Sequence, residues 1–467
     1  MMLYTLPRVT YLSAYTMSLR LRPGWVCPSC RLSIRRSPRH VRQASTSTST
    51  PPAPPSAGFT KLPSRRLVEV YGPDASHFLH GICTSAVPRT PPSPLGFYSA
   101  FLTAQGRVLY DAFVYPFAHS KTYRDSMPSR LREKYGDNDP GYLIEVDSAQ
   151  AADLMKHLKR YKLRAKVDIR ALEESEVDVW SIWDEATEPW TPHPSPSSSS
   201  PDASSAARPS GGDAGRGVIP EVDLISLVDS RAPGMGRRLL LPGSSHSTST
   251  IPEAALPLVS QDAAATPSTS YNLRRFLKGV PEGPAEIPAS AALPAEHNMD
   301  IMSGIDFRKG CYVGQELTIR THHTGVVRKR ILPVMLYPAS SSASAPSSIA
   351  DASGSTPSPL HGLTYDPSAA VTLPPSGADI KPYNRTGRSA GKFVTGVGNI
   401  GLGLCRVEMM TDLVLTADGQ SNFKPDDEFH VIWEGQEGGE GSGTLIKAFV
   451  PEWMRGKIKV RKPQQRI

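Results

Sequence analysis

One run of eight residues, Lys-Gly-Cys-Tyr-Val-Gly-Gln-Glu, has the composition of a reactive thiol site. Cysteine is a nucleophile or metal ligand only as the thiolate, and neighbouring positive charge favours that form. Arg308 and Lys309 place two positive charges directly before Cys311. Gly310 and Gly314 permit tight turns or close backbone approach, because glycine has no Cβ. Cys311 is therefore predicted as the reactive thiol; the alternative is an inert, buried cysteine.

The neighbours of Cys311 are predicted to shape its loop rather than take part in chemistry. Glu316 can pair with Arg308, Lys309 or Arg320, which would be an ordinary structural role. The predicted motif comprises Lys309, Gly310, Cys311, Tyr312, Gly314, Gln315 and Glu316.

Asp111 is a second candidate, because it interrupts an otherwise apolar strand pattern. A carboxylate in an apolar wall often has a shifted pKa and a specific partner. It either contacts a ligand or is a hydrogen-bonded structural residue. Arg231 is a weaker candidate, which would meet a carboxylate or anchor a strand, with solvated surface as the alternative.

Alternating and helical patterns predict the elements that must hold these residues. Strands are predicted at 65–72, 141–147, 166–172 and 178–183, and helices at 74–82 after an Asp cap, 148–163 opened by Ser148, and 271–280. Residues 316–323 and 328–336 resemble paired strands. The C-terminal part alternates short strands with Gly turns, as a small β-barrel does. The predicted class is α+β with an antiparallel barrel at one end.

The N-terminal segment has the composition of a mitochondrial transit peptide. Its first fifty residues contain eight arginines and no Asp or Glu, and are rich in Ser and Thr. The alternative is a basic arm that binds nucleic acid. Without those arginines, the 52 basic and 44 acidic residues of the chain balance, so the net charge of +8 is no indication of nucleic-acid binding by the folded part. No stretch approaches the roughly 20 apolar residues that cross a bilayer.

Metal and dinucleotide sites find little support in the sequence. Cys27 and Cys30 form a CxxC pair inside the predicted transit peptide, without the further ligands that a structural zinc site needs. His77, His80, His297, His322 and His323 show no HExxH spacing. The glycines of 396–403 lack a strand–helix dinucleotide pattern and are interpreted as a barrel turn. The three remaining cysteines are widely spaced, so no disulfide framework is predicted.

Low-complexity segments interrupt the chain. Residues 45–56 are a polar, Pro-rich spacer, and residues near 186–217, 243–270 and 338–377 are rich in Ser, Pro, Ala and Thr. Such segments bury too little apolar surface to offset the entropy of ordering, so they are predicted to be disordered insertions. Regulatory linkers that carry phosphorylation sites are the alternative.

Several blocks together resemble the YgfZ/GcvT-like family, which is related to the folate-dependent aminomethyltransferase of glycine cleavage. The central block is GIDFRKGCYVGQE at 304–316. Matching blocks follow the family order at 67–87, 101–116, 160–169, 229–242, 271–283 and 390–408. The mitochondrial branch of this family consists of iron–sulfur cluster assembly factors.

The resemblance implies a multi-subdomain, GcvT/YgfZ-like folate-binding fold. The expected domains are a transit peptide at 1–45, a folate-binding domain at 57–335 with insertions at 186–217 and 243–270, a low-complexity linker at 336–377, and a β-barrel at 378–467. Asp111, Arg231 and Tyr271 are the implied contacts of tetrahydrofolate. The related enzymes carry two adjacent acidic residues where this chain has Tyr110-Asp111, which disfavours aminomethyl transfer.

The resemblance further implies a mitochondrial matrix factor that acts late in the maturation of 4Fe–4S proteins such as aconitase and radical enzymes. Cys311 would be its key thiol and a transient cluster ligand, shared with a partner because one cysteine cannot hold a cluster alone. A-type iron–sulfur scaffold proteins and 4Fe–4S client enzymes are the implied partners. An assembly factor is expected rather than an enzyme. The alternatives are a tetrahydrofolate-dependent aminomethyl or C1 transferase, and a binding module without chemistry.

Overall fold

A computed structural model describes residues 50–458 except 88–95, 118–119, 136–138, 187–223, 244–250, 252, 340–361, 384–386, 416–422, 425–426 and 434–443. The predicted transit peptide with Cys27 and Cys30, and nearly all of the predicted insertion at 186–217, lie outside these residues. Within the described residues, no helix is long and apolar enough to span a bilayer.

Sixteen strands are found in the described residues: β1 (Ala57–Lys61), β2 (Arg65–Tyr71), β3 (Phe97–Leu102), β4 (Val108–Pro116), β5 (Gly141–Asp147), β6 (Asp168–Ala171), β7 (Val177–Asp184), β8 (Ile225–Val228), β9 (Arg237–Pro242), β10 (Ala264–Ala265), β11 (Lys329–Pro338), β12 (Asp379–Pro382), β13 (Gly391–Val397), β14 (Ile400–Arg406), β15 (Phe429–Ile432) and β16 (Thr444–Ala448).

The α-helices of the same residues are α1 (Ala75–Ile82), α2 (Lys121–Ser126), α3 (Ser129–Lys134), α4 (Ala151–Lys162), α5 (Ser268–Lys278), α6 (Gln315–Thr324), α7 (Val407–Met410) and α8 (Glu452–Arg455). Two 3-10 helices cover Ser148–Gln150 and Glu253–Leu258.

The first sheet has five antiparallel strands in the order β3-β4-β5-β2-β6. Successive side chains of a strand point to opposite faces, and both faces of β2 are covered. Val68 and Val70 join Leu79 of α1 in one core cluster, whereas Leu67 and Tyr71 join a second cluster on the opposite face. This two-sided burial accounts for the dense apolar pattern of the strand.

The second sheet has the order β10-β1-β7-β9-β8 and is antiparallel except for the β1–β10 pair. One core cluster joins the two sheets: it contains Phe113 and Leu143 from the first and Val179 and Leu240 from the second. The strands β4 and β9 therefore both contribute to one shared core.

The C-terminal part forms a closed six-stranded barrel in the order β11-β14-β13-β12-β15-β16. Leu332 and Val334 of β11 belong to the same core cluster as Val431 of β15, while Ile331 and Met335 join a separate cluster with α5. Helices packed on antiparallel sheets, together with this barrel, confirm the predicted α+β class.

The strand predicted at 316–323 is wrong, because these residues lie in α6. Alternating apolar and β-branched residues favoured a strand locally, but tertiary contacts override such propensities. Gly314 has a φ of +82° and precedes the first turn, and the Thr318 hydroxyl donates to the Gln315 carbonyl at 2.7 Å. Two cap predictions also need correction: the Asp74 carboxylate accepts from Lys166 N, and Asp147 rather than Ser148 caps the 3-10 turn before α4.

The insertion predicted at 243–270 is in part folded. Ile251 and Ala255 are buried in a cluster with β7 and β9, β10 pairs with β1, and α5 begins at Ser268. The barrel also begins earlier than the predicted boundary at 378, since β11 supplies its first strand from residues assigned to the preceding domain and linker. Strand pairing across a long sequence separation, which no local pattern shows, decides both differences.

Candidate functional site

Cys311 lies on the short loop before α6, and its side chain is exposed. The other described cysteines, Cys83 and Cys405, are buried. Burial raises the pKa of both buried thiols, that of Cys405 to about 12, because a thiolate loses its hydration there. Of the cysteines in the described residues, Cys311 is therefore the one that a partner thiol or an iron centre can reach.

Lys309 anchors this loop to the C-terminal end of α1. Its ammonium donates to the carbonyls of His80 at 2.6 Å, Cys83 at 2.7 Å and Ser85 at 3.1 Å. An ammonium has three N–H donors, so these carbonyls use all of them. A cation also suits the negative end of the helix dipole. The Lys309 ammonium thus holds the loop against α1, which is the shaping role expected of the residues around Cys311.

Further backbone contacts hold the loop on both sides. Val313 N–H donates to the Gly81 carbonyl at 3.2 Å. A Cβ at Gly314 would lie 2.3 Å from the Thr103 carbonyl oxygen, so its positive φ and its close approach to the β3–β4 turn both require glycine. Gly310 differs: a Cβ there would lie 3.9 Å from His80 Nε2, which is ordinary contact.

The remaining motif residues support α6. Tyr312 is buried, and its hydroxyl shares a 2.8 Å hydrogen bond with that of Thr318. Tyr312 N–H donates to Gln315 Oε1 at 3.2 Å. Glu316 is exposed in the first turn, where a carboxylate is favoured by the helix dipole. None of the ion pairs found within the described residues includes Glu316, so the pairing proposed from the sequence is not seen.

A second site, remote in sequence from Cys311, is a buried ionic cluster between the sheets. It brings Asp111, Arg231 and Tyr271 together around Glu282. The Tyr271 hydroxyl donates to Glu282 Oε2 at 2.6 Å and accepts from Arg231 at 3.0 Å. Arg231 also makes a two-pronged contact with Asp229 at 2.8 and 2.7 Å. The sequence singled out three members, and the fold places all three in one cluster.

Other members were missed by the sequence reasoning. Arg238 contacts Glu145 and Glu282, and Arg65 donates to Glu145 at 2.6 Å. Arg275 pairs with Glu286 at 2.7 and 2.9 Å. A charged residue inside an otherwise apolar strand, such as Glu145 in GYLIEVD, is the sequence signal that could have identified these members.

Burial and the charges of the cluster both act on the pKa of Asp111. The cluster contains four guanidinium groups, on Arg65, Arg231, Arg238 and Arg275, and five carboxyl groups, on Asp111, Glu145, Asp229, Glu282 and Glu286. Arg238, with Arg65 and Arg231, holds the pKa of Glu282 well below its usual range despite burial. Burial raises the pKa of Asp111, and the negative charge of Glu282 adds to this effect. A protonated Asp111 would leave the two signs equal.

Among the carboxyl groups of the cluster, that of Asp111 has a buried oxygen without a hydrogen-bond partner. Its Oδ1 accepts from Gly283 N–H at 3.1 Å, whereas Oδ2 has no hydrogen-bond partner within the described residues. Arg231 and Tyr271 are fully buried, and the guanidinium groups of Arg238 and Arg275 lie over the Tyr271 ring at 5.6 and 5.4 Å. In this arrangement the cluster offers a ligand one carboxyl oxygen and a few buried guanidinium nitrogens, but no exposed aromatic face.

Comparison with known proteins places the chain in a family. A family model described as "CAF17, C-terminal beta-barrel domain" matches residues 328–456, which span the barrel from before β11 to α8. A protein of Aspergillus fumigatus named "Iron-sulfur cluster assembly factor IBA57 homolog, mitochondrial" is 45% identical over 448 residues, covering 93% of this chain and 90% of its own length. The chain belongs to the IBA57 family. The resemblance seen in its sequence blocks is thereby confirmed.

Two further IBA57 relatives carry the same printed name. The protein of Coccidioides immitis is 41% identical over 455 residues, covering 95% of this chain and 93% of its own length. That of Neurospora crassa is 39% identical over 454 residues, covering 94% and 91%. Among solved structures, the glycine cleavage system aminomethyltransferase T from Bartonella henselae aligns with a TM-score of 0.49 and 11% identity, covering 88% of each chain.

Proposed function

We propose that this chain is a mitochondrial iron–sulfur cluster assembly factor whose reactive group is the Cys311 thiol. Its IBA57 relatives are named as mitochondrial factors of this kind, and the acid-free, Arg-rich N-terminal segment agrees with that location. The observation that carries the proposal is the exposure of Cys311 on an anchored loop, while Cys83 and Cys405 are buried. We place the factor in the matrix, late in the maturation of 4Fe–4S proteins such as aconitase and radical enzymes.

The chemistry assigned to Cys311 is shared with a partner. Iron–sulfur clusters are held by several thiolates, and thiol ligands lose their proton when they bind iron. No group of three or more His, Cys, Asp or Glu side chains that could hold a metal is found within the described residues. Cys311 would therefore supply one ligand to a cluster, or one thiol to an exchange, while an A-type scaffold protein or a 4Fe–4S client supplies the others.

The loop geometry favours such shared ligation. Three Lys309 hydrogen bonds and the Val313–Gly81 bond fix the backbone on either side of the thiol. A fixed backbone reduces the entropy that is lost when Cys311 joins a partner's ligand set. Exposure keeps the approach to the sulfur open.

The test is aconitase activity in mitochondria that lack this protein, complemented by wild type or by Cys311→Ala at matched abundance. The matched control is Cys405→Ala, which removes a buried thiol from the barrel. We expect wild type and Cys405→Ala to restore aconitase and Cys311→Ala to fail. Restoration by Cys311→Ala would refute the role of the thiol, and failure of wild type would refute the assembly function itself.

The second candidate is a tetrahydrofolate-dependent aminomethyl or C1 transferase. One observation favours it: the buried Oδ2 of Asp111 has no partner within the described residues. The rest of the cluster does not fit a pterin as it stands, since Arg231 and Tyr271 are committed to Asp229 and Glu282. Folate-dependent transfer by purified protein, abolished by Asp111→Asn and unaffected by Cys311→Ser, would favour this enzyme over the assembly factor.

A further inference from the structure

A cavity of about 390 Å³ lies between α6, the segment that precedes the Cys311 loop, and the start of the barrel. Small-molecule sites in proteins are concave and usually enclose about 300–1,000 Å³. None of the residues predicted to contact folate lines this cavity, and neither does Cys311. The cavity therefore belongs to neither of the sites described above.

Positive charge dominates its lining. Five cationic side chains line it, on Arg328, Lys329, Arg330, Arg406 and Lys457, against two carboxylates.

Both carboxylates are already balanced. Arg330 donates to the two oxygens of Asp300 at 2.9 and 2.8 Å, and the Lys329 ammonium lies 3.5 Å from Glu296. Counted over all five cations, the lining keeps an excess of positive charge, and the Lys457 ammonium donates to the Ile301 carbonyl at 2.9 Å. Burial lowers the pKa of Lys457, a cost that an anion in the cavity would offset.

The cavity is also lined by apolar side chains, and one of them presents a flat ring. Ile301, Ile305 and Leu317 line the cavity, together with Phe307. The Phe307 ring stacks on His322 with centroids 3.7 Å apart and an interplanar angle of 25°. Flat apolar groups bind well against such a surface, since ring stacking adds to the burial of area.

We propose that this cavity binds a small organic anion: one carboxylate, phosphate or sulfonate group attached to a flat apolar body. The anionic group would meet Arg328 and Arg406, and the body would lie against Phe307 and its neighbours. The chain's own C-terminal segment is a poor occupant. It follows Ile458 in sequence and carries Lys459, Arg461, Lys462 and Arg466 without an acidic side chain, so its charge has the wrong sign.

The cavity shares a helix with the Cys311 loop. Thr318 lines the cavity, and its hydroxyl is the hydrogen-bond partner of Tyr312, next to Cys311. A bound anion would therefore contact the helix that supports the loop. We expect occupancy to slow amide hydrogen exchange in α6, because a ligand that binds the folded form opposes local opening.

The test uses the purified full chain and two fluorescent probes of matched shape. Anilinonaphthalene sulfonate carries the anion, and phenylnaphthylamine lacks it. The variants are Arg328→Gln, Arg406→Gln and their combination, with Lys392→Gln, an exposed barrel lysine outside the cavity, as control. Thermal unfolding verifies that each variant folds.

We expect saturable binding of the sulfonate at one site, weakened by high salt because screening reduces charge attraction. The double variant should bind it at least about tenfold more weakly, the size expected for a charge-assisted contact, while Lys392→Gln changes nothing. The neutral probe should bind more weakly than the sulfonate, and its affinity should not change with the substitutions. Equal sulfonate affinity in wild type and a folded double variant, or equal affinity for both probes, would overturn the anion site.

Discussion

Replacing Lys309 by Met should release the Cys311 loop from α1. Methionine keeps the length and apolar stem of lysine but donates no hydrogen bonds. The substitution leaves the carbonyls of His80, Cys83 and Ser85 without the donor they have now. Each hydrogen bond to a charged group contributes about 1.5–3 kcal/mol, and such contributions are not additive.

Desolvation reduces the net effect. Burial lowers the pKa of Lys309, because removing the ammonium from water has a free-energy cost. This cost offsets part of the stabilisation that the hydrogen bonds provide. We therefore expect a loss of about 3 kcal/mol in the local stability of the loop, less than the three bonds would sum to. A free energy of about 3 kcal/mol corresponds to roughly a hundredfold change in an opening equilibrium.

Amide hydrogen exchange measures this opening directly. Val313 N–H donates to the Gly81 carbonyl across the same contact, so its exchange should become about a hundredfold faster in Lys309→Met. Arg320→Met, an exposed cation on α6, is the matched control and should leave this amide protected. Unchanged exchange of Val313 in a folded Lys309→Met protein would refute the anchoring role of Lys309.

Three further predictions concern the two sites. Gly314→Ala should destabilise the protein by more than about 1 kcal/mol, because residue 314 has a φ of +82° and a Cβ there would lie 2.3 Å from a carbonyl oxygen. Gly310→Ala should be nearly neutral. Equal melting temperatures for the two variants would contradict this prediction. The pKa of Asp111 is raised in the folded state, so the folded protein binds this proton more tightly than the unfolded chain does. The stability of the protein should therefore fall as the pH rises from the unfolded pKa of about 3.9 through the folded pKa. Asp111→Asn should remove that part of the slope, and parallel melting-temperature profiles of variant and wild type would show that Asp111 does not cause it. Arg231→Met should cost about 3–5 kcal/mol in chemical unfolding, because it removes the two-pronged partner of the buried Asp229 and one of the partners of Glu282. A cost below about 1 kcal/mol would mean that other arginines compensate.

Local sequence patterns predicted the elements whose periodicity matched their burial. The helices at α1, α4 and α5 and the strands β2, β5 and β7 were predictable because each shows a regular apolar face. The α6 helix was not, since its apolar residues alternate and its start depends on Gly314 packing against Thr103. Low-complexity composition likewise hid the folded part of residues 251–270, which is buried through contacts with distant strands.

In the candidate site, too, some features were predictable from the sequence and others depend on tertiary contacts. The residue type and its flanking charges identified Cys311, and its exposure was then visible in the fold. Lys309 was expected to shape the loop, but only the fold shows how, since its side chain reaches carbonyls more than 200 residues earlier in the chain.

By itself, the sequence determined the α+β class, the family, the transit-peptide composition and the cysteine to examine, since these depend on composition, periodicity and motif order. Tertiary structure alone decided which charges meet. Arg65, Glu145 and Arg238 come from three strands and converge with Glu282 only when the two sheets share a core. It also decided the cationic cavity, whose walls are drawn from the loop before Cys311, α6 and the barrel. Contacts between residues distant along the chain follow from packing, and no local pattern records them.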